Sequence, residues 1–175
     1  YWTYHTVSKV PALIFHSAIL YNDCIIIYGG RTNPYTINAT LYLYNINTNQ
    51  WQEKKIKNTP ARYRHSCVHY KHYMLIFGGI GYSKSSNSLV VYNDLCVLNL
   101  KTMTWINNIS IGGDYVSARH SHATVYVPHE KSIYLYGGRH NSELSSVDTY
   151  VYQLSLKDDV IQWTSELTWK KLTKY

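Results

Sequence analysis

An apolar run closed by two glycines constrains this chain more than any other feature, because it occurs three times. The copies are Cys24-Ile25-Ile26-Ile27-Tyr28-Gly29-Gly30, Tyr73-Met74-Leu75-Ile76-Phe77-Gly78-Gly79 and Ser132-Ile133-Tyr134-Leu135-Tyr136-Gly137-Gly138. Rich in β-branched and aromatic residues, each reads as a strand buried on both faces rather than as an alternating, half-exposed one. Two successive glycines suit a turn with positive φ, or a point where another backbone comes too close for a Cβ.

The copies are in phase with other signals, so the unit is longer than the run. The glycine pairs begin at 29, 78 and 137, spaced by 49 and 59 residues. Upstream lie His16, His65 and His122, each beside a small residue and spaced by 49 and 57. Downstream, an alternating segment leads to a tryptophan: Leu41-Tyr42-Leu43-Tyr44 to Trp51, and Leu95-Cys96-Val97-Leu98 to Trp105. In the third copy Tyr150-Val151-Tyr152 leads to either Trp163 or Trp169. Gly112-Gly113 falls outside the phase.

This composite signature resembles three consecutive kelch repeats, whose period is about 50 residues. The resemblance covers nearly the whole chain. It implies an all-β fold, a kelch-type β-propeller in which each repeat is a four-stranded antiparallel blade. Blade 1 spans about residues 8–57, blade 2 about 58–110 and blade 3 about 111–175, while residues 1–7, including Trp2, match the outer strand of a preceding blade. Strands are expected near 15–21, 24–29, 40–46 and 50–56, then 65–70, 73–78, 94–100 and 104–109, then 121–127, 132–137, 148–155 and 162–172. Asn22-Asp23 marks a tight hairpin. Three blades and a strand fall short of the four to eight of a propeller. The expectation is therefore part of a ring of about six blades, the remainder coming from the same longer chain or from another copy.

Composition narrows the function classes. The chain has 175 residues, 45% hydrophobic and 15% charged, which is globular and not disordered. No stretch nears the eighteen or so apolar residues of a membrane helix, and the first residues lack the form of a secretory signal. Cys24, Cys67 and Cys96 are widely spaced and set in apolar segments, as reduced structural thiols are. Together these lead to the expectation of an intracellular, cytoplasmic protein. The net charge of +7 leans toward acidic partners. Nucleic acid is disfavoured, since the tyrosines fall in strand patterns and the lysines are scattered apart from Lys54-Lys55 and Lys170-Lys171.

Catalytic motifs are absent: there is no Gly-x-Ser-x-Gly, P-loop, His-Glu-x-x-His or dinucleotide fingerprint. No enzyme activity, cofactor or metal is expected within this segment. The phased histidines could converge as ligands, but one identical position per repeat better suits neutral histidines that satisfy neighbouring groups at the start of inner strands.

Binding remains, through loops on a rigid scaffold. Two of the three post-glycine loops read Gly-Gly-Arg-x-Asn, giving Arg31 and Asn33 in the first and Arg139 and Asn141 in the third; the second has Ile80 instead. This arrangement resembles the kelch propeller of cullin ubiquitin-ligase adaptors, in which arginine and asparagine after Gly-Gly contact acidic degron peptides. The resemblance implies a protein-interaction module binding a partner protein or peptide, acidic or phosphorylated, because guanidinium offers paired donors to carboxylate or phosphate. Arg31 and Arg139 can equally be turn arginines bonding a nearby carbonyl. Arg62, Arg64 and Arg119 are expected in loops at the opposite end, Arg64 and Arg119 packing within blade junctions. The alternatives are a regulatory or substrate-positioning domain of a larger enzyme, such as a phosphatase or ligase adaptor, and a scaffold in a multi-subunit assembly.

Overall fold

The computed structural model describes residues 1–3, 10–83, 85–140, 148–156, 163 and 167–172. Its strands form three blades in sequence order. In the first, β1 (Ile14–Tyr21), β2 (Cys24–Asn33), the short β3 (Thr36–Ile37), β4 (Leu41–Asn45) and β5 (Gln50–Lys54) give the order β1-β2-β4-β5, with β3 paired to the far end of β2. Next comes β6 (Arg62–Tyr63), followed in the second blade by β7 (Ser66–Tyr70), β8 (Tyr73–Phe77), the hairpin β9 (Ile80–Ser83) and β10 (Ser88–Val91), β11 (Leu95–Asn99) and β12 (Thr104–Trp105). Here β7-β8-β11-β12 is the blade, while β6, β9 and β10 form a separate three-stranded sheet. The third blade contains β13 (Ile111–Gly113), β14 (Ala123–Val127), β15 (Ser132–Tyr136), β16 (Val151–Ser155) and β17 (Leu167–Leu172). All blade pairings are antiparallel except that of β13 with β17. Gly112-Gly113, out of phase in sequence, thus belongs to a fifth strand added in parallel at the outer edge.

The turns explain the registers. Asn22 and Asp23 adopt φ of 44° and 51°, the two left-handed residues of a type I′ hairpin that closes Tyr21 onto Cys24. Lys71 takes φ 53° in the equivalent two-residue loop, and the longer third loop is a 3-10 turn, Pro128–Glu130, ending on left-handed Lys131.

Packing is blade on blade. Ile19, Ile26, Tyr28 and Leu41 of the first blade bury against Met74, Ile76 and Leu98 of the second. The other face of the second blade, with Val68, Leu75, Phe77 and Val97, buries against Ile133, Leu135, Leu154 and Trp169 of the third. Each fully buried aliphatic or aromatic side chain is worth roughly 1.5–3 kcal/mol, so these two seams are where the fold is held together. Burial of the apolar runs on both faces holds for Met74-Leu75-Ile76-Phe77. At the ends of the arc one face is left open, with Leu20 58%, Val125 55% and Tyr136 54% exposed.

Register assigns the third tryptophan. Tyr44 pairs with Trp51, Leu98 with Trp105, and Leu154 with Trp169, each at the fourth position of its β4, β11 or β16 strand. Trp163 is buried too, packing edge-on against Tyr73 at 4.9 Å. Among residues 1–7, Tyr1 to Thr3 form no strand and Trp2 is fully exposed, while Tyr4 to Val7 lie outside the described residues.

Candidate protein-binding site

The site is built at the double glycines, and all six of these residues have positive φ. Gly29 and Gly78 do more than turn the chain. A Cβ on Gly29 would stand 2.4 Å from the Arg62 carbonyl oxygen and 2.6 Å from the His65 ring; on Gly78 it would stand 2.5 Å from the Arg119 carbonyl oxygen. Each first glycine is therefore a socket for the next blade. Gly137 has φ 71° and, among the described residues, nothing within 4 Å of such a Cβ.

The carbonyls of these glycines also receive side chains. Arg62 Nη1 donates to Gly78 O at 2.9 Å and Arg119 Nη1 to Gly137 O at 3.0 Å; in the first blade Asn38 Nδ2 takes that role toward Gly29 O at 3.1 Å. Both arginines are buried and neutralised. Arg62 pairs with both oxygens of Asp94 at 2.7 and 3.1 Å, and Arg119 reaches Asp148 Oδ2 at 2.8 Å. Burial opposes ionisation of Asp148, but its bond to Arg119 and the guanidinium charge hold it below the ordinary carboxylate value.

The histidines lock the same junction. His65 Nε2 lies 2.7 Å from Ser17 Oγ, and His122 Nε2 lies 2.7 Å from Ser66 Oγ. Burial, reinforced by Arg62, pulls His65 down to about 3, and burial with Arg119 pulls His122 down to about 4. Both are neutral near pH 7. His16 is exposed, its Nδ1 3.2 Å from the Leu13 carbonyl oxygen. The three do not converge, and among the described residues no three His, Cys, Asp or Glu side chains are grouped to hold a metal ion. Burial likewise pushes the Cys67 and Cys96 thiols up to about 12.

One residue inward, Phe15, Arg64 and Ser121 take φ of 60°, 56° and 55°. Left-handed conformations in non-glycine residues cost of order 1–3 kcal/mol and mark places the surrounding structure holds fixed. Here backbone bonds between blades hold them: Arg64 N–H donates to Phe15 O at 3.1 Å, and Ser121 N–H to Arg64 O at 2.8 Å. The resulting rim carries the arginines.

Arg31 pairs with Ile14, Ile80 with Tyr63, and Arg139 with His120. The loops after the glycines and the loops before the inner strands therefore share one end of the blades, because antiparallel pairing sets the start of each inner strand beside the end of the next. The expectation that Arg62, Arg64 and Arg119 lie at the opposite end is corrected accordingly. Arg64 lays its guanidinium 4.2 Å from the Phe15 ring centroid, and Arg31 lies 5.3 Å from the same ring and 4.9 Å from that of Tyr63. Arg31 and Arg64 each keep a buried Nε without an acceptor. Arg139 is exposed, and its backbone bridges to His120. Among the described residues no carboxylate pairs with Arg31, Arg64 or Arg139. Asn33 is exposed and turned inward on its own loop, accepting the Tyr35 N–H at 2.9 Å. Asn141 lies outside the described residues. Arg64, expected to pack within a blade junction, is half-buried there: its backbone bonds both neighbouring blades, and its guanidinium stacks on a phenylalanine 49 positions earlier, which no local pattern announces.

Three blades joined by phased glycine, arginine and histidine contacts, with loops gathered at one end, define a β-propeller of the kelch type. The model of the KLHDC2/KLHL20/DRC7 Kelch-repeats domain matches residues 2–173, and the chain belongs to that family. It is 32% identical over 127 residues to human Kelch domain-containing protein 3, covering 71% of this chain and 31% of that protein. Rat Kelch domain-containing protein 10 is 30% identical over 156 residues, 85% of this chain and 35% of the relative. Protein ral2 of Schizosaccharomyces pombe is 31% identical over 104 residues, 56% of this chain and 17% of its own length. The chain thus spans about a third or less of these relatives. The solved structure of YjhT shares the fold with a TM-score of 0.70 at 13% identity, over 97% of this chain and 48% of that one. Kelch domains are in general protein-interaction modules and typically non-catalytic.

Proposed function

We propose that the inner rim captures an extended acidic or phosphorylated segment of a partner protein. One contrast carries this reading: Arg62 and Arg119 are buried on carboxylates, while Arg31, Arg64 and Arg139 at the same end have none among the described residues. Stacking on Phe15 and Tyr63 holds two of these guanidinium groups at low entropic cost and leaves donor edges for carboxylate or phosphate oxygens. Ile80 at the middle position breaks the ring of charge and gives the partner one apolar contact. Glu-rich, phosphoserine and neutral peptides of equal length, titrated against the intact protein at two salt concentrations, test this directly. Acidic peptides should bind with a salt-dependent affinity and neutral ones should not. Equal binding of the neutral peptide would overturn the reading.

A further inference from the structure

Away from the inner rim, the outer strands of the first two blades enclose a cleft of about 500 Å3. It is lined by the end of β5 and the loop after it, with Lys54, Lys55 and Lys57, and by the β11–β12 turn and strand, with Lys101 and Trp105. Lysines that look scattered along the sequence therefore line one cleft. Only Lys55 is neutralised, by Glu53 at 3.3 Å, and among the described residues no carboxylate pairs with Lys54, Lys57 or Lys101.

The geometry points to a second anion site, in which this cleft takes a compact polyphosphate. Its volume is in the range of small-ligand sites, and lysines act as flexible point charges that suit several phosphates better than one carboxylate held by a fork. Trp105 is held in place beside the cleft: its Nε1 donates to Thr59 Oγ1 at 3.1 Å and its ring packs 5.6 Å from Tyr28. The polyphosphate can be free, as an inositol polyphosphate, or the same group borne on a lipid.

Calorimetric titration of the intact protein with inositol hexakisphosphate tests the site. The Lys57→Glu/Lys101→Glu variant should lose about tenfold or more in affinity, while Lys170→Glu on β17 and the Arg31→Ala/Arg139→Ala pair should change it less than about twofold. Sedimentation with phosphatidylcholine vesicles, with and without phosphatidylinositol bisphosphate, separates the sources: co-sedimentation lost in Lys57→Glu/Lys101→Glu assigns the lipid headgroup, and its absence alongside binding in solution assigns the free ligand. No binding of inositol hexakisphosphate, equal loss in Lys170→Glu, or tighter lysine-dependent binding of a single-stranded oligonucleotide would overturn the proposal.

Discussion

His122 of the third blade stands 2.7 Å from Ser66 of the second, both buried, and binds the two blades at the level of the double glycine. Ser66→Ala removes the hydroxyl and leaves Nε2 without its partner in a buried seam, which should cost about 1–3 kcal/mol. Ser17→Ala, at the half-buried equivalent position, should cost less. Urea unfolding of the intact protein measures both, and a Ser66→Ala midpoint equal to that of the parent would contradict the assignment.

Stability should fall with acid in a defined window. His65 and His122 titrate at about 3 and 4 in the folded chain and near the ordinary 6.5 when unfolded. Between pH 6.5 and about 4 the unfolded state therefore binds more protons than the folded one. Stability is complete above 6.5 and is lost as pH falls, by up to about 1.4 kcal/mol per pH unit for each histidine. Urea midpoints across this range should drop, and His65→Gln/His122→Gln should flatten the slope. An unchanged slope in that variant would refute the account.

The two kinds of first glycine should respond differently to a methyl group. Gly78→Ala combines φ 60° with a Cβ 2.5 Å from the Arg119 carbonyl oxygen and should cost several kcal/mol, roughly the left-handed penalty plus a backbone clash. Gly137→Ala faces open space and should cost only about 1–2 kcal/mol. If a further blade seats on Gly137 in the intact protein, the second cost rises toward the first, so the pair of melting curves reads out whether that socket is filled.

Much of the fold is legible in the sequence because its strongest marker is steric. Both readings of the glycine pairs, positive φ and close backbone approach, hold together at Gly29 and Gly78, and the histidine phase marks the contact that requires them. Register, in contrast, is invisible across the long segment before Trp169, and only strand pairing separates it from Trp163. Buried charge is equally hidden. Arg62 and Arg119 each stand three residues before a phased histidine, but their partners Asp94 and Asp148 lie 32 and 29 positions on, and the first blade replaces the guanidinium with Asn38, so the pairing shows only once the strands are in register. Arg64 was legible only as one more arginine beside a histidine. Its place on Phe15 comes from blade stacking, and the same stacking gathers Lys57 and Lys101 into one cleft.

The proposed function assigns to partner capture the arginines that have no carboxylate among the described residues. Measuring acidic-peptide affinity and thermal unfolding side by side in Arg31→Ala/Arg139→Ala and in Arg64→Ala tests it most directly. The expected result is a loss of about tenfold or more in affinity, about 1.4 kcal/mol, with a melting temperature nearly that of the parent for Arg31→Ala/Arg139→Ala. Unchanged affinity, or a loss of folding that accounts for the loss of binding, would contradict it and return these arginines to the architecture of the blades.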